Sequence, residues 1–145
     1  DSILSLSNQR IFLLRRIQFE LFENRLQSAR AIWKEYFVIV RQWNNDVKTN
    51  RNRIALLFNE KIAEAFLMDT ENQADQPQSL HHIFRKAHNA ILAVIECMKA
   101  NCPELEKTTL LNEAEKRMDI LGTAHDDFSM LLRSVLVQKE HLLLE

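Results

Sequence analysis

The residue types best suited to chemistry, histidine and cysteine, gather in the second half of the chain. His81, His82 and His88 share one stretch, and the only two cysteines, Cys97 and Cys102, follow it. A zinc-binding pair on a helix needs ligands four residues apart, and none of these histidine pairs has that spacing. We therefore expect histidines that face solvent, with no metal site and no cofactor.

Two polar residues, His125 and Arg15, stand at repeat positions that are otherwise apolar. His125 is followed by Asp126 and Asp127, a setting in which a histidine acts as a base or as a pH-sensitive joint. A partly buried histidine with a hydrogen-bond partner is the simpler interpretation. An arginine in a helical seam either fixes register and partner choice or lays its stem along apolar surface, and both alternatives stay open for Arg15.

The motifs of common enzyme classes are absent from the sequence. Glu60 and Glu64 lie four residues apart, but helical di-metal proteins need Glu-x-x-His, which does not occur. Nucleophile elbows, phosphate-binding loops and dinucleotide loops need several glycines, and Gly122 is the only one. The sequence therefore predicts a protein without enzymatic activity. The opposing hypothesis, an all-helical enzyme or metalloprotein, would use His125 or the histidines of residues 81–88.

Few residues in this chain break regular structure. Gly122, Pro77 and Pro103 are the only glycine and prolines among 145 residues, and residues 1–76 contain neither type. Because glycine and proline mark turns, a chain with so few of them must form long helices. Hydrophobic residues make up 46% and charged residues 27% of the chain, which is typical of a folded protein rather than a disordered one.

Apolar residues of the first segment recur every seven positions, with a second row three residues later. The two rows are Phe12, Phe19, Leu26, Trp33, Val40 and Val47, and then Phe22, Ala29, Tyr36 and Trp43. This repeat predicts one helix over residues 3–43 that packs on other helices. The asparagine-rich residues 44–52 have low helix propensity, so we expect the first turn there. The alternative is a single helix that continues through them.

Three further helices are expected. An apolar face predicts the second over residues 53–69, and a polar loop at 70–78 separates it from the third. Ser79 suits the N-cap of the third helix. Pro103 suits the first position of the fourth, which keeps its apolar repeat over residues 103–145.

The fold class that follows is all-α. Helices of unequal length predict an elongated antiparallel up-down bundle of four helices, with the first and last each about 60 Å long. Residues 3–22 and 125–145 would then extend beyond the shorter helices as a coiled-coil-like pair. Residues 1–145 form a single helical-bundle domain, which we interpret as a segment of a larger protein.

Charge and cysteine content bear on partners and compartment. Residues 1–54 carry ten lysines and arginines against five acidic residues, whereas residues 55–145 carry nine against fifteen. A basic helix lying on an acidic one is the simplest explanation of this asymmetry. No segment resembles a membrane span or a signal peptide. Because two cysteines make no disulfide framework, we expect reduced thiols and a cytoplasmic location.

The predicted function is protein–protein interaction or oligomerisation, within an intracellular scaffold, cytoskeletal or trafficking protein. Apolar residues at the two-helix end point in more directions than one seam covers, which leaves them for a second copy or another helical chain. The expected partner-binding residues are Phe12, Phe19, Phe22, Phe128, Leu132 and Val135, together with Arg15.

The alternative function is a membrane-surface module that uses the basic first helix. Its contacts with anionic lipid would come from Arg10, Arg15, Arg16, Arg25 and Arg30. A nucleic-acid partner is not expected, because these arginines are spread around the helix instead of forming one dense basic face. No small-molecule substrate is expected either.

Overall fold

The computed structural model describes residues 2–68 and 79–144, and every regular element in this part of the chain is an α-helix. The helices here are α1 (Ser2–Phe22), α2 (Leu26–Leu57), α3 (Glu60–Phe66), α4 (Leu80–Lys99) and α5 (Glu104–Leu144). The predicted all-α class is confirmed. The polar loop predicted at residues 70–78 lies outside the described residues.

The first turn lies at residues 23–25, inside the stretch that the apolar repeat predicted to be one helix. Asn24 takes a left-handed backbone conformation with a φ of 62°. Its N–H donates to the carbonyl of Leu21 at 3.0 Å, and the N–H of Arg25 donates to that of Glu20 at 2.8 Å. This pair of bonds is the Schellman motif, which ends many helices at a glycine and sometimes at an asparagine.

Residues 44–52, expected to hold the first turn, are helical and lie within α2. That prediction is wrong because the inner face of α2 continues through them, with Trp43, Asn50 and Ile54 all buried. Low helix propensity costs at most about 0.7 kcal/mol per residue, whereas burying a large apolar side chain gains about 1.5–3 kcal/mol. Packing against neighbouring helices therefore overrides the local preference of the asparagines.

The helix predicted over residues 53–69 is divided in two. Phe58 ends α2, and Asn59 caps α3 by accepting a hydrogen bond from the N–H of Ile62 at 2.9 Å. Ile62 and Phe66 of α3 are buried, as their place in the apolar pattern predicted. The predicted element is therefore the end of α2 and a short capped helix.

The last two helices keep their predicted extents. Ser79 occupies the N-cap position of α4, although its side chain makes no capping hydrogen bond. Pro103 precedes the first residue of α5 instead of occupying that position, and its carbonyl accepts the N–H of Lys107 at 3.0 Å. Asn101, with a φ of 52°, ends α4 with the same two kinds of bond that Asn24 makes after α1.

Cys97 and Cys102 are joined by a disulfide across the turn between α4 and α5, which corrects the expectation of reduced thiols. On a continuous helix, residues five apart point in different directions. The turn at Asn101 instead brings the two Cα atoms to 5.1 Å, within the range that a disulfide spans. Disulfides persist in oxidising compartments, so the cytoplasmic location stays a prediction.

Side-chain contacts link α1 to α5 along much of the length of α1. The Nζ of Lys107 donates to Oδ1 of Asn24 at 3.1 Å, at the start of α5 and just after the end of α1. Further along, Ser7 of α1 and His125 of α5 are joined by a 2.7 Å hydrogen bond. Arg10 of α1 also contacts α2 and α4, so the packing of the helices is consistent with a bundle.

The bare pair predicted for residues 3–22 and 125–145 is not formed. α1 packs along α2 and also contacts α4 and α5. Leu14, Ile17 and Leu21 of α1 are fully buried as a result. The prediction fails because the chain turns directly after α1, so that α2 folds back and covers it.

Burial along α5 stops before the helix does. Leu132 is buried, but among the described side chains of residues 133–144 none is, and Val135 is half-buried. The exposed apolar residues of this part are Leu136, Val137 and Leu142. At 1.5 Å per residue, residues 133–144 add about 18 Å of helix beyond the last buried position.

Candidate functional site

Arg10 is a charged side chain that lies inside the helical core, with only 4% of its surface exposed. Its position follows from a 3-4 repeat along α1, formed by Ile3, Ser7, Arg10, Leu14, Ile17 and Leu21, all of which are buried. Residues with this spacing share the helix face that packs on other helices. Arg10 is thus held inward by the apolar residues above and below it.

Aromatic rings surround the Arg10 guanidinium. Its central carbon lies 4.6 Å from the ring centre of Phe84, 5.4 Å from that of Trp43 and 5.9 Å from that of Tyr36. Cations are attracted to the faces of aromatic rings within about 6 Å. The three rings, which we call the aromatic cage, therefore stabilise a buried positive charge for which no ion pair is seen in the described part of the chain.

A chain of hydrogen bonds leads from Arg10 to α4. The Nε of Arg10 donates to the Tyr36 hydroxyl oxygen at 3.2 Å, and that hydroxyl lies 2.9 Å from Nδ1 of His88. Because arginine only donates, the hydroxyl oxygen of Tyr36 accepts the bond from Arg10. The tautomer of the His88 ring sets which partner donates in the bond between the Tyr36 hydroxyl and Nδ1.

Burial and charge keep His88 neutral. Desolvation, followed by repulsion from Arg10, lowers the pKa of His88 to about 4. Trp33 contributes to the burial, with its ring centre 4.9 Å from that of His88. Desolvation also raises the pKa of Tyr36, against the opposing effect of the Arg10 charge. At neutral pH the positive charge of this group of side chains therefore belongs to Arg10.

His81 forms a second polar contact beside the aromatic cage. The Nε1 of Trp43 donates to Nδ1 of His81 at 2.9 Å, and the two rings are nearly parallel, with centres 6.3 Å apart. His81, His82 and His88 are all half-buried. The expectation that they face solvent is wrong for His81 and His88, because α4 turns these two toward the aromatic side chains of α2.

The described residues around Arg10 leave one of its N–H groups without a partner. In residues 2–68 and 79–144, no three histidine, cysteine, aspartate or glutamate side chains come together in a way that could hold a metal ion. The Nη1 atom of Arg10 is buried and has no hydrogen-bond partner within this part of the chain. A site of this composition suits binding of a group that accepts hydrogen bonds.

His125 is 5% exposed and joins α5 to α1, which confirms the prediction of a partly buried, hydrogen-bonded histidine. The Ser7 hydroxyl donates to the carbonyl of Leu4 at 3.0 Å, so its oxygen accepts from Nε2 of His125 at 2.7 Å. Burial lowers the pKa of His125, while the neighbouring Asp126 opposes the shift. The contact is therefore a hydrogen bond from a neutral ring.

Arg15 is exposed and reaches across to α5. A Cβ atom built at Gly122 would lie 2.7 Å from Nη2 of Arg15, which shows that the guanidinium rests where a side chain would otherwise stand. Other helices leave that space open, since no further heavy atom but the Arg15 Cζ lies within 4 Å of it. Because Gly122 has no side chain, the Arg15 guanidinium can lie close to α5 at this position.

The predicted partner-binding residues fall into two groups. Those of α1, Phe12, Phe19 and Phe22, are 61%, 56% and 71% exposed. Those of α5 turn inward: Phe128 and Leu132 are 4% and 2% exposed, and Val135 is half-buried. Their role with a partner stays a prediction, and only the α1 group offers its side chains at the surface.

Sequence reasoning placed Arg10 on a basic surface and so missed the site. Two 3-4 repeats compete along α1. The one that carries Phe12 and Phe19 continues beyond α1 to Leu26 and Trp33, whereas the other contains the polar residues Ser7 and Arg10. The signal that distinguishes them is Leu14, Ile17 and Leu21, which extend the second repeat and are fully buried.

Comparisons with known proteins found no similar protein. The chain matches no protein-family model, no curated protein and no solved structure. Within the described residues, the search for helices long and apolar enough to cross a membrane finds none.

Proposed function

We propose that this chain is a non-catalytic protein interaction module that forms a dimer by helix-face docking. The observation that carries the proposal is the outer face of α1, which we define by Phe12, Arg15, Arg16, Phe19 and Phe22. Its three phenylalanines are 56–71% exposed. Burial of a large apolar side chain gains about 1.5–3 kcal/mol, so a partner that covers this face is favoured.

Charge favours a second copy of this chain as the partner. The outer face of α1 is basic, with the Arg16 guanidinium 5.8 Å from the ring centre of Phe12. On α5, Asp119 and Asp127 lie beside Ile120, which is 39% exposed, and all three line a shallow groove. Opposite charges across an interface steer association and disfavour wrong pairings.

A two-fold arrangement satisfies both faces at once. α1 and α5 are neighbours in the same molecule, so α1 of each copy would lie over α5 of the other. Pairing of α1 with α1 is disfavoured, because Arg15 and Arg16 would meet their own counterparts. The contact of Arg15 with Gly122 makes the two faces adjacent within one molecule.

This proposal retains the predicted elongated antiparallel bundle, but not the predicted coiled-coil-like pair of residues 3–22 and 125–145, because α1 packs along α2. A role within an intracellular scaffold, cytoskeletal or trafficking protein belongs to the same proposal. Phe128 and Leu132 would support α5 from inside the core, while the exposed residues of α1 make the contact.

The test is a double charge substitution on the outer face, Phe12→Glu with Phe19→Glu. Both side chains are exposed, so the core stays intact. The matched control is Val38→Glu with Leu56→Glu on α2, where the side chains are 63% and 87% exposed. Light scattering measures the mass of each variant, and circular dichroism verifies its helix content.

We expect the outer-face variant to be a helical monomer and the α2 variant to remain a dimer. Two dimeric variants of equal affinity would contradict docking through α1. A dimer lost equally in both variants would also contradict it, because the effect would then not depend on the face that was changed.

A membrane-surface module is the second candidate function, favoured by the same exposed phenylalanines beside Arg15 and Arg16. Amphipathic faces of this composition bind anionic lipid surfaces. Co-sedimentation with phosphatidylserine vesicles at low salt distinguishes the two. Binding that the outer-face variant loses, together with a monomeric parent protein, would favour the membrane; failure to co-sediment removes this candidate.

A further inference from the structure

A cavity of about 220 Å³ lies between α1, α2 and α4, next to the aromatic cage. Six of its lining residues are polar or charged: Arg10, Asn44, His81, Arg85, His88 and Asn89. The inner part belongs to Arg10, which is buried, while Arg85, Asn44 and Asn89 are exposed at the rim. The cavity is therefore open to solvent, and its donors include two arginine guanidinium groups and two asparagine amides.

Arg10, which lines the cavity, has one N–H group with no partner among residues 2–68 and 79–144. Its Nη1 atom is buried and makes no hydrogen bond to these residues, although Nε of the same guanidinium bonds to Tyr36. Buried donors in native proteins are almost always paired, either with protein groups or with bound water or ligand. An orphaned N–H of an arginine that is 96% buried therefore points to a group that is bound from outside the chain.

The charged residues that line the cavity are basic. Arg10 and Arg85 both line it, and none of its lining residues is acidic. Guanidinium groups bind carboxylate and phosphate oxygens through paired N–H donors, and the amides of Asn44 and Asn89 supply further donors at the rim. Cations are excluded by repulsion, whereas an anion would find several donors around it.

The size of the cavity limits what it can hold. Drug-sized ligands occupy pockets of about 300–1,000 Å³, and a water molecule occupies about 30 Å³ of liquid. A space of about 220 Å³ accommodates a tetrahedral oxyanion with a few waters or with one small substituent.

We propose that this cavity binds a small oxyanion of the phosphate class, held by Arg10 and Arg85. The anion is either free inorganic phosphate or the phosphate group of a small monoester. It accepts hydrogen bonds from Nη1 of Arg10 in the interior and from Arg85 at the rim. No bond is made or broken, so the site binds the anion without transforming it, and it is independent of the dimer proposed above.

The test is a titration of the full 145-residue chain with inorganic phosphate at pH 7.5, with sodium chloride at matched ionic strength as reference. Isothermal calorimetry measures binding, and thermal unfolding measures the stabilisation that a ligand of the native state produces. Saturable binding to phosphate is expected. O-phosphoserine serves as the monoester arm, and whichever of the two binds more tightly identifies the source of the anion.

Two variants separate the site from general charge effects. Arg85→Gln removes a rim donor from an exposed position and should weaken phosphate affinity about tenfold, since hydrogen bonds to charged groups are strong. Arg30→Gln removes the same charge from an exposed position of α2 that does not line the cavity and should leave affinity unchanged. Arg10→Met should abolish binding, and circular dichroism verifies that it folds.

A spectroscopic measurement reports on the interior of the cavity. His88 lines the cavity and has a pKa of about 4, where phosphate is a monoanion, and a bound anion beside the ring should raise that pKa. The imidazole resonances of His88, followed by NMR with and without phosphate, measure the shift. Phosphate that stabilises the protein no more than chloride, or that binds Arg85→Gln and Arg30→Gln equally, would overturn the proposal.

Discussion

Two pairs of polar side chains join helices in the interior of this molecule. Ser7 of α1 accepts from His125 of α5, and Arg10 of α1 donates to Tyr36 of α2. A buried polar group without a partner costs free energy comparable to a lost hydrogen bond. Such a residue is therefore favoured where a partner on a neighbouring helix lies opposite it. These pairs specify which part of one helix meets which part of another.

The hydrogen bond between Ser7 and His125 yields a prediction for stability. Ser7→Ala leaves the buried Nε2–H of His125 without an acceptor and should lower the free energy of unfolding by about 1–3 kcal/mol. Urea denaturation measures the change. Ser5→Ala, at an exposed position of the same helix, is the control and should change it by less than about 0.5 kcal/mol. Equal effects of the two substitutions would be inconsistent with the bond.

His88 makes stability depend on pH in a definite direction. Its folded pKa of about 4 lies below the ordinary value of 6.5, so the unfolded chain binds more protons between these values. The free energy of unfolding should therefore fall as pH drops from 6.5 to 4. The loss should be on the order of 1–2 kcal/mol, after allowance for the solvent that screens this half-buried ring.

His88→Gln isolates this contribution, because glutamine keeps an acceptor for Tyr36 but does not titrate. Thermal unfolding of the parent protein and of the variant should diverge below pH 6.5, with the parent losing stability faster. Parallel curves over this range would show that the ring titrates normally in the folded protein.

At the scale of elements, α1 and α4 are each followed by an asparagine in the turn that ends the helix. Asn24 and Asn101 both take the left-handed conformation, in which most side chains are strained. Asn44 and Asn45 instead stay helical within α2, with their side chains exposed. The residue type alone therefore does not mark a turn; its position relative to the buried face does.

Substitution of Asn24 tests this placement. Asn24→Ala should destabilise the protein by about 1–2 kcal/mol, because alanine adopts positive φ at a cost, whereas Asn24→Gly should be neutral or stabilising. Asn45→Ala, within the helical part of α2, should be close to neutral or slightly stabilising. Chemical denaturation of the three variants measures the order, and a larger loss for Asn45→Ala than for Asn24→Ala would contradict it.

The accuracy of the sequence predictions varied with how clearly each helix is bounded. α4 and α5 were predicted well because Ser79 and Pro103 mark their starts and one apolar repeat runs through each. α1 and α2 were merged because no glycine or proline lies between them and the repeat of Phe12 and Phe19 runs on across the turn. Which of two repeats faces inward is decided by packing between helices that are distant in sequence.

At the scale of the whole molecule, the candidate site depends on three helices at once. Arg10 lies on α1, two rings of the aromatic cage on α2, and the third ring and His88 on α4. The sequence shows these residue types, but it could not predict that their side chains come into contact, because about sixty residues of chain separate α1 from α4. His125 was predicted correctly because its place in the α5 repeat was visible locally.

The proposed dimer would connect the outer surface of the molecule to the proposed function. The outer face of α1 carries exposed phenylalanines and arginines, and the exposed side of α5 carries acidic residues beside Ile120. Association that buries both faces accounts for apolar residues that the fold of a single chain leaves in water. The opposite net charges of residues 1–54 and 55–145 would also favour this pairing.

The most direct test of this account is the mass of the unmodified chain in solution, measured by light scattering over a hundredfold range of concentration. The proposal predicts a dimer, with twice the 17.1 kDa mass of the monomer, that dissociates on dilution and at high salt. A mass of 17.1 kDa at every concentration would contradict self-association through the outer face of α1. A mass that rises without limit would contradict the closed two-fold arrangement.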